Sequence, residues 1–151
     1  GGGVEKKEEE EELKKKKIFL YLLHFPASSS FPCSLFTFQS VIAMMGSLAK
    51  HLTKDDPRIG PIVDTLIAAL STPSQQVQQT VADCLPSLVP AIKDRAPGLI
   101  EDMLTQLLEH DDFGARRGAA FGLAALVKGL TISALKNFHI IERLQVIFMM
   151  I

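Results

Sequence analysis

The chain has 151 residues, which is enough for one compact domain or a few short repeats. Hydrophobic residues make up 47% of it, so most of the chain can bury a core, and its formal net charge of -1 argues against a dominant nucleic-acid-binding composition. Two cysteines and four scattered histidines predict neither a disulfide framework nor a metal site.

The first 39 residues differ in composition from the rest of the chain. Residues 1–17 are a charged run with six glutamates and six lysines, and residues 18–25 are apolar and end at Pro26. That apolar run is too short for a membrane-spanning helix, which needs about 20 residues. The glutamates before the lysines argue against a secretory signal peptide, whose first region is short and basic.

From Ser40 onward, apolar residues recur with the period of a helix. The first three apolar stripes run from Val41 to Leu52, from Ile59 to Leu70 and from Val77 to Ile92. Because a side-chain oxygen caps a helix well, we expect Asp55-Asp56-Pro57 to start the second helix and Ser74 to cap the third.

Two prolines, Pro86 and Pro90, interrupt the third stripe. Proline lacks the backbone N–H that a helix interior requires. We therefore expect the third helix to bend or to end early.

The pattern continues in the second half of the chain. Pro97 is expected to open a helix that reaches Leu108, and Asp111-Asp112 forms the following turn, in which Asp112 is expected to cap the next helix as Ser74 does. A further stripe, from Ala115 to Val127, predicts a helix that Gly129 ends. We expect Thr131 or Ser133 to cap a last helix, with apolar residues at Leu135, Phe138, Ile141 and Leu144.

The apolar positions also recur over long distances, which indicates an internal repeat. Four residues of the third stripe reappear 38 residues later and match a set 40 residues earlier. The three sets are Val81, Leu85, Leu88 and Val89; Ala119, Leu123, Leu126 and Val127; and Val41, Met45, Leu48 and Ala49. Two helices per unit of about 40 residues are typical of HEAT repeats.

We therefore predict an all-α fold, a HEAT/armadillo-type α-α superhelix fragment with about two to three helical hairpins. Each hairpin has an apolar face that only a stacked neighbour can bury. The alternative is an ordinary helical bundle in which the spacing is accidental.

Two blocks of the sequence resemble one family specifically. Residues 66–94 (LIAALSTPSQQVQQTVADCLPSLVPAIKD) and 114–136 (GARRGAAFGLAALVKGLTISALK) are similar to the central region of the large HEAT-repeat translational activator of the general amino-acid control kinase. That kinase phosphorylates the alpha subunit of translation initiation factor two. The central region is itself similar to the HEAT segment of fungal elongation factor three. The resemblance runs roughly from Ser40 to Gln145.

The resemblance implies an interaction scaffold and no reaction. Members of this family associate with translating ribosomes and, in amino-acid starvation, pass the uncharged-tRNA signal to the kinase. The kinase-docking site lies in a later part of the long family chain. We therefore expect a cytoplasmic, non-enzymatic scaffold whose partners are the ribosome and the general-control kinase, with no cofactor, small-molecule substrate or membrane. The alternative is a piece of another HEAT scaffold, such as a transport receptor or a phosphatase regulatory subunit.

The limits of the resemblance predict where unrelated sequence begins. Residues 1–39 are rich in the amino acids that pyrimidine-rich or purine-rich DNA encodes. Gln39 and Gln145 are compatible with intron acceptor and donor junctions, because CAG is a glutamine codon. We predict that residues 40–145 are HEAT-type repeats from one exon and that residues 1–39 and 146–151 are translated intron. The alternative for the first segment is a genuine, divergent N-terminal arm.

Five basic residues form the candidate contact surface: Lys93, Arg95, Arg116, Arg117 and Lys128. Arg117 and Lys128 are three helical turns apart, so they are expected near one helix face. Lys93 and Arg95 end the preceding second helix and extend a basic edge across repeats. Such an edge is suited to RNA phosphates or to an acidic protein. The alternative is a solvated face with cations placed near acidic turn residues and at helix ends.

The remaining polar groups are better explained by structure than by chemistry. His110-Asp111-Asp112 reads as a polar turn, and Glu101-Asp102 suits the first turn of a helix, where acidic residues interact favourably with the helix dipole. Cys84 falls on an apolar stripe, which predicts core packing. We predict no catalytic residue, cofactor-binding residue or metal ligand.

Overall fold

The computed structural model describes residues 32–150, and predictions about residues 1–31 lie outside that range. Residues from Leu35 onward belong to one compact unit. The described residues form seven α-helices and no strand, which confirms the all-α prediction for this part. In chain order the helices are α1 (Pro32–Ala49), α2 (Ile59–Ala69), α3 (Gln75–Cys84), α4 (Ala96–Glu109), α5 (Phe113–Leu130), α6 (Ser133–Asn137) and α7 (Ile140–Met150).

The helices form stacked hairpins, as the repeat predicts. Helices α2 and α3 make the first complete hairpin, and α4 and α5 make the second. The two second helices, α3 and α5, pack against each other. Helix α1 precedes them as another second helix, and Gly46 on α1 lies against Cys84 on α3. The predicted α-α superhelix fragment of two to three hairpins is therefore confirmed.

The same buried face recurs on α1, on α3 with the few residues that follow it, and on α5. Equivalent buried positions are Ile42, Met45 and Ala49; Val81, Cys84 and Leu88; and Ala119, Gly122 and Leu126. Residue 81 follows residue 42 by 39 positions, and residue 119 follows residue 81 by 38. The first interval is one residue shorter than the 40 inferred from the sequence. The two values differ because the structure aligns buried residues, whereas the sequence pattern aligns apolar residues.

The second helices begin with the predicted caps. Ser74 Oγ accepts a hydrogen bond from the backbone N–H of Val77 at 3.4 Å, and Asp112 Oδ2 accepts one from Ala115 at 2.7 Å. Each cap satisfies an N–H group that has no partner inside the helix. The equivalent turns therefore start α3 and α5 in the same way.

The predicted start of α2 was wrong. Helix α2 begins at Ile59, and its N-cap residue, Arg58, makes no side-chain cap. The carboxylate of Asp56 instead accepts hydrogen bonds from the side chain and the backbone N–H of Arg58. These hydrogen bonds favour the ionised carboxylate; those from the Arg58 side chain have the largest effect, and the one from its backbone N–H comes next. Together they hold the pKa of Asp56 at about 2. Asp56 thus orders the approach to the helix rather than its first turn.

Helix α3 ends early, as Pro86 and Pro90 predict. The α-helix stops at Cys84, and the chain then forms two 3-10 turns, Leu85–Ser87 and Val89–Ala91. Each turn places a proline near its start, where no internal N–H donor is needed. The chain therefore stays compact without breaking the buried face.

The predicted end of α5 at Gly129 was wrong, because α5 continues to Leu130. Gly129 is required there for another reason: a Cβ at this position would lie 2.8 Å from the carbonyl oxygen of Pro86. Thr131 ends the helix with a φ of 106°, a conformation that β-branched residues rarely adopt. Close packing against the 3-10 turns explains the glycine.

The last predicted helix is divided in two. Helix α6 ends at Asn137, and His139 has a φ of 50° before α7 begins. The hydroxyls of Thr131 and Ser133 are hydrogen-bonded to each other at 2.8 Å, and the N-cap of α6, Ile132, makes no side-chain cap. The predicted cap by Thr131 or Ser133 was therefore wrong.

No helix within residues 32–150 has the length and apolar character needed to cross a membrane.

Candidate interaction surface

A buried polar residue lies at the junction of the two complete hairpins. Gln78, on α3, has 0% of its surface exposed and is the one fully buried polar side chain within residues 37–146. A buried amide is costly unless all of its polar atoms find partners. Its hydrogen bonds therefore show what the junction requires.

The amide nitrogen of Gln78 donates to backbone carbonyls on both hairpins. Its two N–H groups are shared among three carbonyl oxygens, those of Leu70 at 2.9 Å, Thr72 at 3.0 Å and Gly114 at 2.9 Å. Leu70 is the C-cap residue of α2, and Thr72 lies in the turn after it, whereas Gly114 belongs to the first turn of α5. The side chain thus connects the turn of one hairpin to the second helix of the next.

Arg117 completes this arrangement from α5. Its Nε donates to the amide oxygen of Gln78 at 2.8 Å, and one terminal nitrogen donates to the carbonyl oxygen of Pro73 at 2.8 Å. Its guanidinium carbon lies 5.9 Å from the centre of the Phe113 ring, within cation-π range. We call the set formed by Gln78, Arg117 and their four backbone partners the Gln78 clamp.

Gly118 allows the clamp to close. A Cβ at this position would overlap the carbonyl of Leu70 and would lie 2.9 Å from Nε2 of Gln78. Helix α5 can therefore approach the preceding hairpin only where this residue has no side chain.

The sequence pattern does not single out Gln78 or Gly118 as contact residues. The available signal was the position of Gln78, which directly follows Val77 and lies three residues before Val81, on the edge of the apolar stripe.

Arg117 and Arg95, two of the five candidate basic residues, have partners within the fold. Arg117 belongs to the clamp. Arg95 precedes α4 and pairs with Asp64 on α2, so it connects the first helices of two hairpins. Their guanidinium groups are thus engaged in stacking the hairpins.

The other three candidates, Lys93, Arg116 and Lys128, are exposed, and their side chains make no ion pair or hydrogen bond with the described residues. Arg116 lies in the first turn of α5, and Lys128 lies in its last turn. The rise of about 1.5 Å per residue places their Cα atoms about 18 Å apart. Lys128 directly precedes Gly129, which packs against Pro86. Lys128 is therefore at the end of α5 that lies against the segment between α3 and α4, and Lys93 belongs to that segment. The structure therefore separates Arg116 from the two lysines.

The polar turn between α4 and α5 has a structural role. His110 Nδ1 accepts a hydrogen bond from the backbone N–H of Asp112 at 3.1 Å, while Asp112 caps α5. In the described part of the chain, no group of three or more His, Cys, Asp or Glu residues is arranged to hold a metal ion.

Cys84 packs in the core of the stacked second helices. It is 6% exposed, and its side chain fills the space over Gly46 on α1. Burial disfavours the thiolate and raises the pKa of Cys84. Both observations agree with the packing role predicted from the apolar stripe.

Comparison with known proteins finds similar stretches in human, plant and yeast proteins. The chain is 65% identical over 99 residues to the human protein named Stalled ribosome sensor GCN1, a match that covers 66% of this chain. It is 45% identical over 107 residues to Protein ILITYHIA of Arabidopsis thaliana. It is 40% identical over 107 residues to the protein of Saccharomyces cerevisiae named eIF-2-alpha kinase activator GCN1.

These matches cover a small part of each relative. The matched region covers 71% of this chain for the plant protein and 70% for the yeast protein, but 4% of each of the three relatives. No family model matches the chain, and no solved structure matches it.

Proposed function

About two thirds of this chain belongs to the GCN1 family, and we propose that it serves as a non-catalytic helical scaffold segment in a ribosome-associated activator of the eIF-2-alpha kinase. The observation that carries the proposal is the 65% identity over 99 residues to a protein named as a stalled ribosome sensor. A match of 99 residues is longer than the two complete hairpins together, which span residues 59–130, and identity at this level goes well beyond the few core positions that a helical repeat requires.

A role without catalysis agrees with the names of the relatives, which describe a sensor and activators. It also agrees with the way the polar groups are used. Asp112 caps a helix, Gln78 joins two hairpins and Cys84 fills the core. On this proposal the chain acts in the cytoplasm through the shape and charge of its surface.

We assign the contact with ribosomal RNA phosphates to Lys93, Arg116 and Lys128. These three exposed cations have no partner within residues 32–150, so their charge is available to a ligand. Arg95 and Arg117 are placed in the stacking of the hairpins by their bonds to Asp64 and Gln78. Contacts with phosphate release counterions, so binding should weaken steeply as salt rises.

Co-sedimentation of the 151-residue chain with purified ribosomes tests this assignment. The variant with Lys93, Arg116 and Lys128 all changed to Glu is expected to lose sedimentation with ribosomes. The matched control changes Lys50, Lys54 and Lys136 to Glu, which alters the net charge equally at exposed lysines outside the candidate set. Equal binding by the two variants contradicts the assignment, and no sedimentation by the unchanged chain contradicts the ribosome-contact role.

We further propose that this chain binds ribosomes without binding the kinase, because the resemblance places kinase docking in a later part of the family. A pull-down with the purified kinase should recover no complex with this chain, while a ribosome pull-down recovers it. Direct recovery of the kinase in the absence of ribosomes contradicts this division of roles.

The boundaries of the repeat region remain our proposal: residues 40–145 are the coded repeats and the flanking segments are translated intron. Neither boundary coincides with a helix end, since α1 begins at Pro32 and α7 continues to Met150. Spliced transcripts that join other sequence at codons 40 and 145 support the proposal. Transcripts that read continuously through codons 30–45 contradict it.

A further inference from the structure

The stacked hairpins are held together by different interactions along their two edges. One edge is formed by the second helices, α3 and α5, which pack against each other. Along it, Gly118 lies against the carbonyl of Leu70, and the fully buried Gln78 bonds to both hairpins. We call this the clamped edge.

The other edge is formed by the first helices, α2, α4 and α7. The backbones of α2 and α4 approach each other less closely than those of α3 and α5. A salt bridge between Arg95, just before α4, and Asp64 on α2 connects them, and its side chains are 43% and 63% exposed. Arg143 on α7 similarly binds both carboxylate oxygens of Glu101 on α4 at 2.7 Å, with 34% and 56% of the two side chains exposed. We call this the ion-paired edge.

The two edges should respond differently to ionic strength. Salt screens exposed charges, and the screening length falls from about 10 Å at 0.1 M to about 3 Å at 1 M. Exposed ion pairs therefore contribute little to stability, and less as salt rises. The amide of Gln78 at the centre of the clamp is shielded from solvent, so its hydrogen bond to the carbonyl of Leu70 is not screened in this way.

From this asymmetry we infer that the clamped edge is a hinge and that the hairpins separate along the ion-paired edge when its salt bridges are screened. Because the hairpins pivot about one side, such opening changes the curvature of the superhelix. The fold thus contains a salt-sensitive control of its own curvature. This property does not depend on ribosome contact, and its test uses the purified chain alone.

Distances between spin labels on the two edges test the inference. Ala68 on α2 and Thr105 on α4 are exposed positions for labels on the ion-paired edge. Gln79 on α3 and Ala120 on α5 are exposed positions on the clamped edge. The labelled chains carry Cys33→Ser and Cys84→Ala so that only the introduced cysteines react. Pulsed dipolar spectroscopy then gives each distance distribution at 0.05 M and at 1 M salt.

Raising the salt is expected to lengthen and broaden the distance between residues 68 and 105 and to leave that between residues 79 and 120 unchanged. The substitution Asp64→Asn should broaden the distribution of distances between residues 68 and 105 already at low salt. The matched control is Asp102→Asn, which removes an exposed carboxylate of α4 that makes no salt bridge within the described residues. If Asp102→Asn broadens this distribution as much as Asp64→Asn does, the broadening is an effect of net charge alone, which contradicts the inference.

Two further outcomes would overturn the hinge. If both distances change equally with salt, the hairpins loosen as a whole and neither edge acts as a pivot. If neither distance changes in the parent chain or in Asp64→Asn, the ion pairs do not control the opening. The milder substitution Arg117→Lys weakens the clamp from an accessible side chain, and it should broaden the distance between residues 79 and 120 without requiring removal of Gln78.

Discussion

Nε of Arg117 donates a hydrogen bond to the side-chain oxygen of Gln78 at 2.8 Å, and the two residues lie 39 positions apart on the second helices of adjacent hairpins. Each side chain supplies a hydrogen-bond partner that the other needs. The buried amide needs an acceptor partner for its nitrogen and a donor for its oxygen, and Arg117 supplies the donor. The same guanidinium donates a hydrogen bond to the carbonyl oxygen of Pro73, so one side chain joins α5 both to α3 and to the preceding turn.

Replacing Gln78 with Leu should destabilise the chain strongly. The change leaves the carbonyls of Leu70, Thr72 and Gly114, and one donor of Arg117, without their present partner. Unpaired buried groups cost about 1–3 kcal/mol each, and with partial access of water we expect a net loss of about 3 kcal/mol. Urea unfolding followed by circular dichroism measures it. The neighbouring Gln79→Ala, at an exposed site, is expected to stay within about 0.5 kcal/mol of the parent.

Adding one methyl group should have opposite effects at two glycines. At Gly118, the Cβ of an alanine meets backbone at Leu70, which cannot move aside, so we expect a loss of about 1–3 kcal/mol. At Gly98 on α4, a Cβ meets nothing within 4 Å, and Gly98→Ala should stabilise the helix by up to about 1 kcal/mol. Midpoints of urea unfolding compare the two variants. Equal effects would contradict the close approach at Gly118.

The thiol of Cys84 should be protected from reagents in the native state. Burial both raises its pKa and blocks access, so little reactive thiolate is present at neutral pH. In a Cys33→Ser background, labelling by a disulfide reagent should be slow and should accelerate with urea along the unfolding transition. Labelling in native buffer at the rate of a free cysteine peptide would contradict the packing over Gly46.

Asp56 should contribute to the acid sensitivity of the fold. Its pKa is about 2 in the folded chain, held down by the hydrogen bonds from Arg58, and the ordinary value is 3.8. The unfolded state therefore binds the proton first, so the stabilisation is fully present above pH 4 and is lost as the pH falls towards 2.

Unfolding free energies measured between pH 5 and pH 2 test this contribution. Asp56→Asn should show a shallower fall in stability through that window than the parent chain. Asp55→Asn, a matched change at the adjacent exposed carboxylate, should retain the parent slope. If the two variants have the same slope, the pair with Arg58 does not carry the pH dependence.

Local patterns in the sequence were enough to predict most of the helices and their repetition. The caps at Ser74 and Asp112 and the early end of α3 at the prolines depend on hydrogen bonds within a few residues, so local patterns were sufficient to predict them. The three buried faces follow from apolar residues at the helical period. The GCN1 family was likewise recognisable from two continuous blocks, residues 66–94 and 114–136.

How the repeats meet, and which cationic side chains are left unpaired within the described residues, depends on contacts between distant parts of the chain. The bonds of Gln78 to Gly114 and of Arg117 to Pro73 join residues 36 and 44 positions apart, so no local pattern specifies them. Gly129 was assigned to a helix end because glycine commonly ends helices, but its role is close contact with the turn at Pro86. Arg116 and Arg117 are adjacent in sequence and differ in role because a helix rotates about 100° per residue, which turns one towards the neighbouring hairpin and the other towards solvent.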